Sequence, residues 1–325
     1  MSFLITGGAG YIGSHMVKYL LDKGYEVVIL DNFSTGHKSA TQGCEVIELD
    51  LLDGIELRKA LKKRNFDAVL HFAAKSIVSD SVCNPIEYYK TNVIGTMNLV
   101  DSMILNNINN IVFSSTAAIF GNPQSNKIDE KHQKLPVNPY GKTKLMVENF
   151  LEEICSRTNF NATCFRYFNA AGANKSGKIG EMHENETHLI PNILNSVLSK
   201  RNILKVFGKD FETRDGTCIR DYVHVDDLAQ AHFLGIQEQK DSSDGSFKCY
   251  NLGNGEGFSV LEVINACKKI TGKEIKYSFA NSREGDPAEL VSDASYSKLC
   301  LNWTPEYSSI ESIINSAWKW HKSQN

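Results

Sequence analysis

Thr6-Gly7-Gly8-Ala9-Gly10-Tyr11-Ile12-Gly13 follows a short apolar run, Phe3–Ile5, and opens a helix-like stretch, Tyr11–Lys23. Glycines at such a strand-to-helix turn let backbone N–H groups approach a pyrophosphate at the positive end of the helix. A glycine-rich match means little without its flanks, and here both are present. The spacing therefore predicts a dinucleotide-binding loop, against the plainer reading of a tight turn that only packs. Further strand candidates are Val27–Leu30, Val46–Leu49, Ala68–Phe72 and Ile111–Ser114. Each is a short continuous apolar run, as strands covered on both faces require. Helix-like stretches lie between them at Ile55–Arg64, where Leu57, Ala60 and Leu61 share a face, and at Pro85–Asn107. Strand–helix alternation implies an α/β fold, a Rossmann-like doubly wound parallel sheet with right-handed crossovers.

The chain's 325 residues suffice for about two domains. Residues 1–168 form the expected nucleotide-binding domain. Residues 169–325 form mainly a smaller α+β substrate-binding domain, with later segments free to return to the first. Gly121–Pro139 and Asn169–Asn185 read as loops, and a helix begins near Tyr140. Hydrophobic residues at 42% and charged residues at 22% exclude a disordered or collagen-like chain. A net charge of −3 offers no basic surface for nucleic acid. No apolar run approaches the ~20 residues that span a bilayer, and no signal peptide is expected. None of the eight cysteines forms Cys-x-x-Cys, so reduced thiols in a cytoplasmic protein are expected.

Asp31 ends the second strand candidate, 18 residues after Gly13. A carboxylate there accepts hydrogen bonds from ribose hydroxyls and repels a 2′-phosphate, and Asn32-Phe33-Ser34 supplies no Arg to hold one. NAD is expected over NADP. Asp50 is placed to reach the adenine, or is a solvated turn residue. Phe72, Ala73 and Ala74 bring small surfaces to the end of the fourth strand, while His71 reads as a core histidine. Tyr140 and Lys144 lie four apart, on one helical face. A Lys charge about 6 Å away at a dielectric of ~20 favours phenolate by ~3 kcal/mol, or ~2 pKa units. The pair can then supply a phenolic base. Thr116 is the chosen strand-end hydroxyl to assist it, with Ser115 a competitor.

These features resemble the extended short-chain dehydrogenase/reductase family and, within it, the UDP-glucose 4-epimerases. The resemblance covers essentially the whole chain. It rests on Gly7–His15, Asp31-Asn32, His71–Ala74, Phe113–Gly121, Asn138–Glu148, Arg166–Ala173, Thr187–Asn192, Gly216–Ala229 and Arg283–Leu290. It implies bound NAD that is not consumed, a transient 4-keto sugar nucleotide, Tyr140 as proton acceptor, and Thr116 and Lys144 beside it. Around the cofactor it implies Gly7, Gly10, Tyr11, Ile12, Gly13, Asp31, Asn32, Asp50 and Leu51. Phe72, Ala73, Ala74, Asn92, Ser114 and Tyr167 complete that set. For a UDP-hexose it implies Asn169, His188, Leu189, Lys205, Phe207, Arg220, Tyr222, Arg283, Asp286 and Leu290. Arg220 and Arg283 suit a diphosphate on charge and shape. The resemblance also implies a homodimer built on Pro85–Asn107 and Tyr140–Arg157.

Departures from the family pattern are His188 in place of Asn, Ser76 where some members carry Lys, and Phe120 in place of Tyr. Leu290, of intermediate size at the position limiting the sugar, leaves N-acetylhexosamines open. Other UDP-sugars, pentose or uronic acid, and a non-catalytic NAD-binding regulator are the alternative readings. Ala117-Ala118 after Thr116 exclude the acid pair of a 4,6-dehydratase. His183 and His188 are five apart rather than the four of His-Glu-x-x-His, so no metal is expected.

Overall fold

The computed structural model describes residues 1–62, 64–125, 127–199, 203–239, 245–283 and 285–324. Lys63, inside the second expected helix, and Glu284, inside the Arg283–Leu290 stretch, lie outside them. The first six strands are β1 (Ser2–Thr6), β2 (Glu26–Asp31), β3 (Glu45–Glu48), β4 (Ala68–His71), β5 (Asn110–Ser114) and β6 (Asn161–Tyr167). Three short strands follow, β7 (Asn169–Ala171), β8 (Leu204–Phe207) and β9 (Ile219–His224), before β10 (Ser246–Leu252) returns to the sheet beside β6. The seven-stranded parallel sheet has the order β10-β6-β5-β4-β1-β2-β3. Its direction of winding reverses between β1 and β4, which opens a crevice at their carboxyl ends.

Alternation along the strands builds two apolar layers. Phe3 and Ile5 face Met16, Val17 and Leu20 of the Tyr11–Asp22 helix and Leu228 and Phe233 of the Val225–Gln239 helix. Leu4, Val28 and Leu30 face Leu57, Leu99, Met103, Val147 and Leu151 on the other side. The second lobe has its own core, in which Ile193, Val206, Val263, Ile264, Ile313 and Ile314 are buried. There β9 pairs with β7, with β11 (Gly257–Ser259) and with β13 (Glu289–Leu290), while β12 (Tyr277–Ala280) pairs with β8.

Two local expectations are corrected and one unexpected helix is added. Pro85–Asn107 is not one regular helix: Pro85–Tyr88 and Gly95–Leu105 flank a π-helical segment, Tyr89–Ile94. The polar stretch Val78–Cys83 is helical. The expected loop Asn169–Asn185 begins as β7. No helix among the described residues is long and apolar enough to cross a membrane, and all eight cysteines are free.

His71 is a satisfied core residue. The Thr96 hydroxyl donates to the Asn92 carbonyl, so it accepts from His71 Nε2–H at 2.8 Å. His71 Nδ1 is left to accept from Thr6 Oγ1 at 2.6 Å. Burial, with the Lys144 charge, lowers its pKa to about 3, and burial lowers His232 to about 4. Because the folded values lie below the ordinary 6.5, the unfolded chain binds protons first as pH falls. The stability these neutral rings contribute is complete above pH 6.5 and is lost progressively toward pH 3–4. The thermal midpoint should fall between pH 7 and 5, and less steeply in His71→Gln. An identical slope in that variant would refute the assignment.

Candidate active site

The glycine loop is forced by contacts that no side chain could share. Gly7 has φ +70°, and a Cβ on it would lie 2.6 Å from Ala73 N. A Cβ on Gly13 would lie 2.1 Å from the Gly7 carbonyl oxygen. The Tyr11–Asp22 helix starts at Gly10 with no side-chain cap, so its first N–H groups and its dipole meet the crevice directly. At the end of β2, Asp31 accepts from Ala9 N–H at 3.0 Å and Phe33 N–H at 2.8 Å. Asn32 donates to Asp50 at 2.8 Å, and Asp50 also accepts from Leu52 N–H at 2.8 Å. Leu51 is buried in the core, and Phe72, Ala73 and Ala74 are half-buried beside Gly7. Asn92 is engaged within the protein, bonding both the Lys75 N–H and carbonyl and the Thr143 hydroxyl. Tyr11 OH donates to the Gly172 carbonyl at 2.7 Å, and Tyr167 OH meets Ser114 Oγ. An uncapped helix N-terminus, a carboxylate at the end of β2 and close-approach glycines together fit an NAD-like dinucleotide.

Tyr140 sits in the first turn of the Pro139–Arg157 helix, started by Pro139 and by the Asn138 side chain accepting from Gly141 N–H at 2.8 Å. Gly141 lets that turn press on the end of β5, since a Cβ there would lie 2.5 Å from Ala118 O. The Thr116 hydroxyl accepts from Ala118 N–H at 3.1 Å and faces the Tyr140 phenol, whose ionised form it favours. Ser115 is turned the other way, donating to buried Glu148 at 2.5 Å. Between the two hydroxyls, Thr116 is the one facing Tyr140. Lys144 Nζ donates to the Ser114 carbonyl at 2.8 Å and lies 5.9 Å from the Tyr140 ring centre.

The expected depression of the Tyr140 pKa is overturned. Burial pushes the phenol up to about 12, and the Thr116 hydrogen bond opposes this only in part. Burial also brings Lys144 down to about 7, with Cys164 and Glu148 pulling the other way. The pairwise argument assumed a permanent charge in a medium of high dielectric; desolvation of both groups outweighs it.

In the second lobe Arg220, on β9, donates from Nη1 to the Ile219 and Pro287 carbonyls at 2.9 Å and faces Asp286 at 3.6 Å. Arg283 stacks over Phe207, 4.2 Å from guanidinium to ring centre. Lys205 shares the Phe207 face of β8 and is exposed. Leu290 pairs with Arg220 and packs on Ala117, Ile119 and Phe120, which ties this strap to the Thr116 turn. Tyr222 is buried on β9, and Asn169 beside it donates to the Asp221 carbonyl at 2.8 Å. Leu189 opens the Leu189–Ser199 helix. His188, just before it, turns Nδ1 toward Glu181 and Glu186. Burial would lower its pKa, but those carboxylates lift it to about 10.

Sequence reasoning missed Asp221 and Asp227. Asp221 is fully buried and accepts from Asn254, Gly255 and Ser292 N–H groups, which fixes the back of β9. Asp227 accepts from the Glu306 and Tyr307 N–H groups and from the Ser308 hydroxyl. Both lie within the quoted Gly216–Ala229 stretch, so their positions were marked though their roles were not.

Residues 3–253 match the model of the NAD dependent epimerase/dehydratase family. A UDP-glucose 4-epimerase of Halalkalibacterium halodurans is 46% identical over 99% of this chain and 96% of its own length. Among solved structures, the UDP-glucose 4-epimerase from Brucella ovis in complex with NAD is 40% identical, with a TM-score of 0.93 over 98% of this chain and 97% of that one. The UDP-Glc/GlcNAc 4-epimerase from Campylobacter jejuni is also 40% identical, with a TM-score of 0.85 over 99% of each chain. The sheet order, the glycine loop and the Tyr140 turn thus have full-length relatives, and the chain belongs to the NAD dependent epimerase/dehydratase family.

Proposed function

We propose that this chain is an NAD-dependent isomerase interconverting UDP-glucose and UDP-galactose at C4 through a 4-keto sugar nucleotide. The observation that carries this reading is the Thr116 hydroxyl facing Tyr140 at the end of β5, with Lys144 one turn further along and 5.9 Å from the Tyr140 ring centre. NAD, when bound, supplies the reversible hydride acceptor. Gly7, Gly10, Tyr11, Ile12 and Gly13 would hold its pyrophosphate, Asp31 its ribose, and Lys144 the second ribose. Tyr140 takes the proton of the sugar 4-hydroxyl and, once the sugar has turned its other face of C4 inward, returns a proton to the C4 oxygen. Thr116 orients that hydroxyl and stabilises the phenolate by its O–H donor. Arg220 and Arg283 clamp the diphosphate while the sugar turns about its link to it. Leu290 limits the space beside the hexose.

Proton NMR of the purified protein with UDP-galactose and no added NAD tests the reading. Appearance of UDP-glucose without net NADH is expected. Failure to convert, with NAD then supplied, would overturn it. Parallel tubes of UDP-N-acetylgalactosamine and UDP-xylose define the Leu290 pocket; the 40% identity to a Glc/GlcNAc 4-epimerase favours trying the first.

Gly13→Ala tests the cofactor loop. Overpacking against backbone costs about 1–3 kcal/mol, so NAD should bind about 10- to 100-fold more weakly, read as nucleotide left after desalting. Unchanged retention would move NAD elsewhere.

We also propose a homodimer in the cytoplasm. Exposed Ile86, Ile94, Met97 and Met146 on the Pro85–Leu105 and Pro139–Arg157 helical segments support the dimer, and free cysteines support a reducing compartment. Light scattering should give twice the chain mass, and Met97→Glu should halve it; a wild-type monomer would refute the dimer.

A further inference from the structure

Glu181, His183, Glu186 and His188 lie in the segment between β7 and the Leu189–Ser199 helix. Helical spacing is the wrong test for them, because this segment is irregular and folds back on itself. One donor atom from each lies within 4.8 Å of all the others. His188 Nδ1 is 2.7 Å from Glu181 Oε1 and 3.0 Å from Glu186 Oε1. His183 Nδ1 is 3.0 Å from Glu181 Oε1 and 3.7 Å from Glu186 Oε2. Ligands at 2.0–2.1 Å around a tetrahedral ion stand about 3.3 Å apart, in the middle of these values.

Glu181 Oε1 is the telling atom. The Glu181 side chain is 4% exposed, and this oxygen forms no aligned hydrogen bond although both imidazole nitrogens lie within 3.0 Å. His188 Nδ1 and the His188 backbone N–H both hydrogen-bond Glu186 Oε1, at 3.0 and 2.7 Å, but neither imidazole is aligned on Glu181 Oε1, which is left buried in the middle of the cluster, where a ligand around a cation would stand. A dication that displaced the imidazole protons would meet two carboxylates, the charge that it balances.

We propose that Glu181, His183, Glu186 and His188 form a binding site for a divalent transition-metal cation of tetrahedral preference, Zn2+ being the ion whose chemistry it fits best. Four protein ligands close the coordination shell, so the site is structural rather than catalytic. It shares His188 with the residues that the resemblance implies for the sugar nucleotide, so it is tested by metal binding and not by turnover. Its position gives it a task. Trp320 Nε1 donates to the Glu181 carbonyl at 2.9 Å, and His37 Nε2 donates to the Met182 carbonyl at 2.7 Å. Met182 and His183 line a small cavity with Gly10, Tyr11 and His37. The cation would staple this segment across the mouth of the glycine loop, joining the C-terminal helix to the nucleotide-binding lobe.

The test is a CoCl2 titration of the chelator-stripped full-length chain, followed by visible absorption. Tetrahedral Co2+ gives intense d–d bands, whereas octahedral Co2+ in water gives weak ones. About one equivalent should bind with the intense spectrum, and ZnCl2 should displace it. His183→Ala and Glu181→Gln, checked for folding by circular dichroism, should each weaken binding at least about tenfold. A Cys83→Ser/Cys300→Ser double variant, which removes the exposed thiols, should bind as the wild type does. ZnCl2 should raise the thermal midpoint of the wild type and not of the ligand variants. A wild-type chain that gives only the weak spectrum overturns the proposal and leaves two ion pairs in its place. So does an intense spectrum that survives both ligand variants or vanishes with the cysteines.

Discussion

Replacing Tyr140 by Phe should lower turnover by about 10²- to 10⁴-fold, the usual worth of a positioned acid–base group, and leave nucleotide binding intact. The substitution removes only the phenolic oxygen. Tyr140 is 9% exposed, and its ring stays in place against the β5 end. The Thr116 hydroxyl loses its partner but keeps the Ala118 N–H. The measurement is the rate of UDP-galactose conversion by NMR beside the NAD retained after desalting. A fall in both would mean that Tyr140 shapes the cofactor pocket. A rate within tenfold of the wild type would remove it as the base and bring the non-catalytic regulator forward. Because burial holds the phenol near 12 even with Lys144 beside it, Tyr140 does not reach a base poised at neutral pH in the protein's own field. A second positive charge at the site is therefore required of the proposed mechanism. Lys144→Met should accordingly move the acidic limb of the rate profile to higher pH, not merely lower its plateau.

The sheet was legible where physics acts locally. Continuous apolar runs place β1, β2, β4 and β5 within about one residue of their ends, because a strand buried on both faces has no polar positions to confuse the reading. Gly7 and Gly13 announce themselves because a positive φ and a backbone contact at 2.1 Å admit no other residue. What depends on distant partners was not legible. Nothing near Ser246–Leu252 says that it will pair with Asn161–Tyr167. The choice between Ser115 and Thr116 depends on Glu148, more than thirty residues on. The π segment Tyr89–Ile94 shows only in its hydrogen bonds. The Tyr140 pKa went the other way because spacing reports a neighbour's charge but not the loss of water around both groups. His183 and His188 were measured against a helix that does not form there.

The second large effect concerns stability. Arg166 and Glu148 form an ion pair whose side chains are 2% and 1% exposed. The contact is bidentate, Nη2 to Oε2 at 2.7 Å and Nε to Oε1 at 3.0 Å. Ser115 donates to the same Oε1, and Arg166 Nη1 donates to the Glu130 carbonyl at 3.2 Å. Every charge is thus met, which is the condition under which a buried pair is tolerable. Glu148→Ala would leave a guanidinium buried without a counter-charge and should cost about 3–5 kcal/mol. At about 2–4 °C per kcal/mol for a chain of this order of size, the thermal midpoint should fall by roughly 10 °C. Glu148→Leu with Arg166→Met removes both charges and keeps the volume, so it should recover most of the loss. The two variants separate two meanings of the pair. If the double variant is as stable as the wild type but slower, the pair serves to hold Ser115 inward, so that Thr116 alone faces Tyr140. If it remains as unstable as Glu148→Ala, the hydrogen bonds to Ser115 and Glu130 stabilise the β5 end directly. A loss below about 1 kcal/mol in Glu148→Ala would contradict the burial of the pair itself.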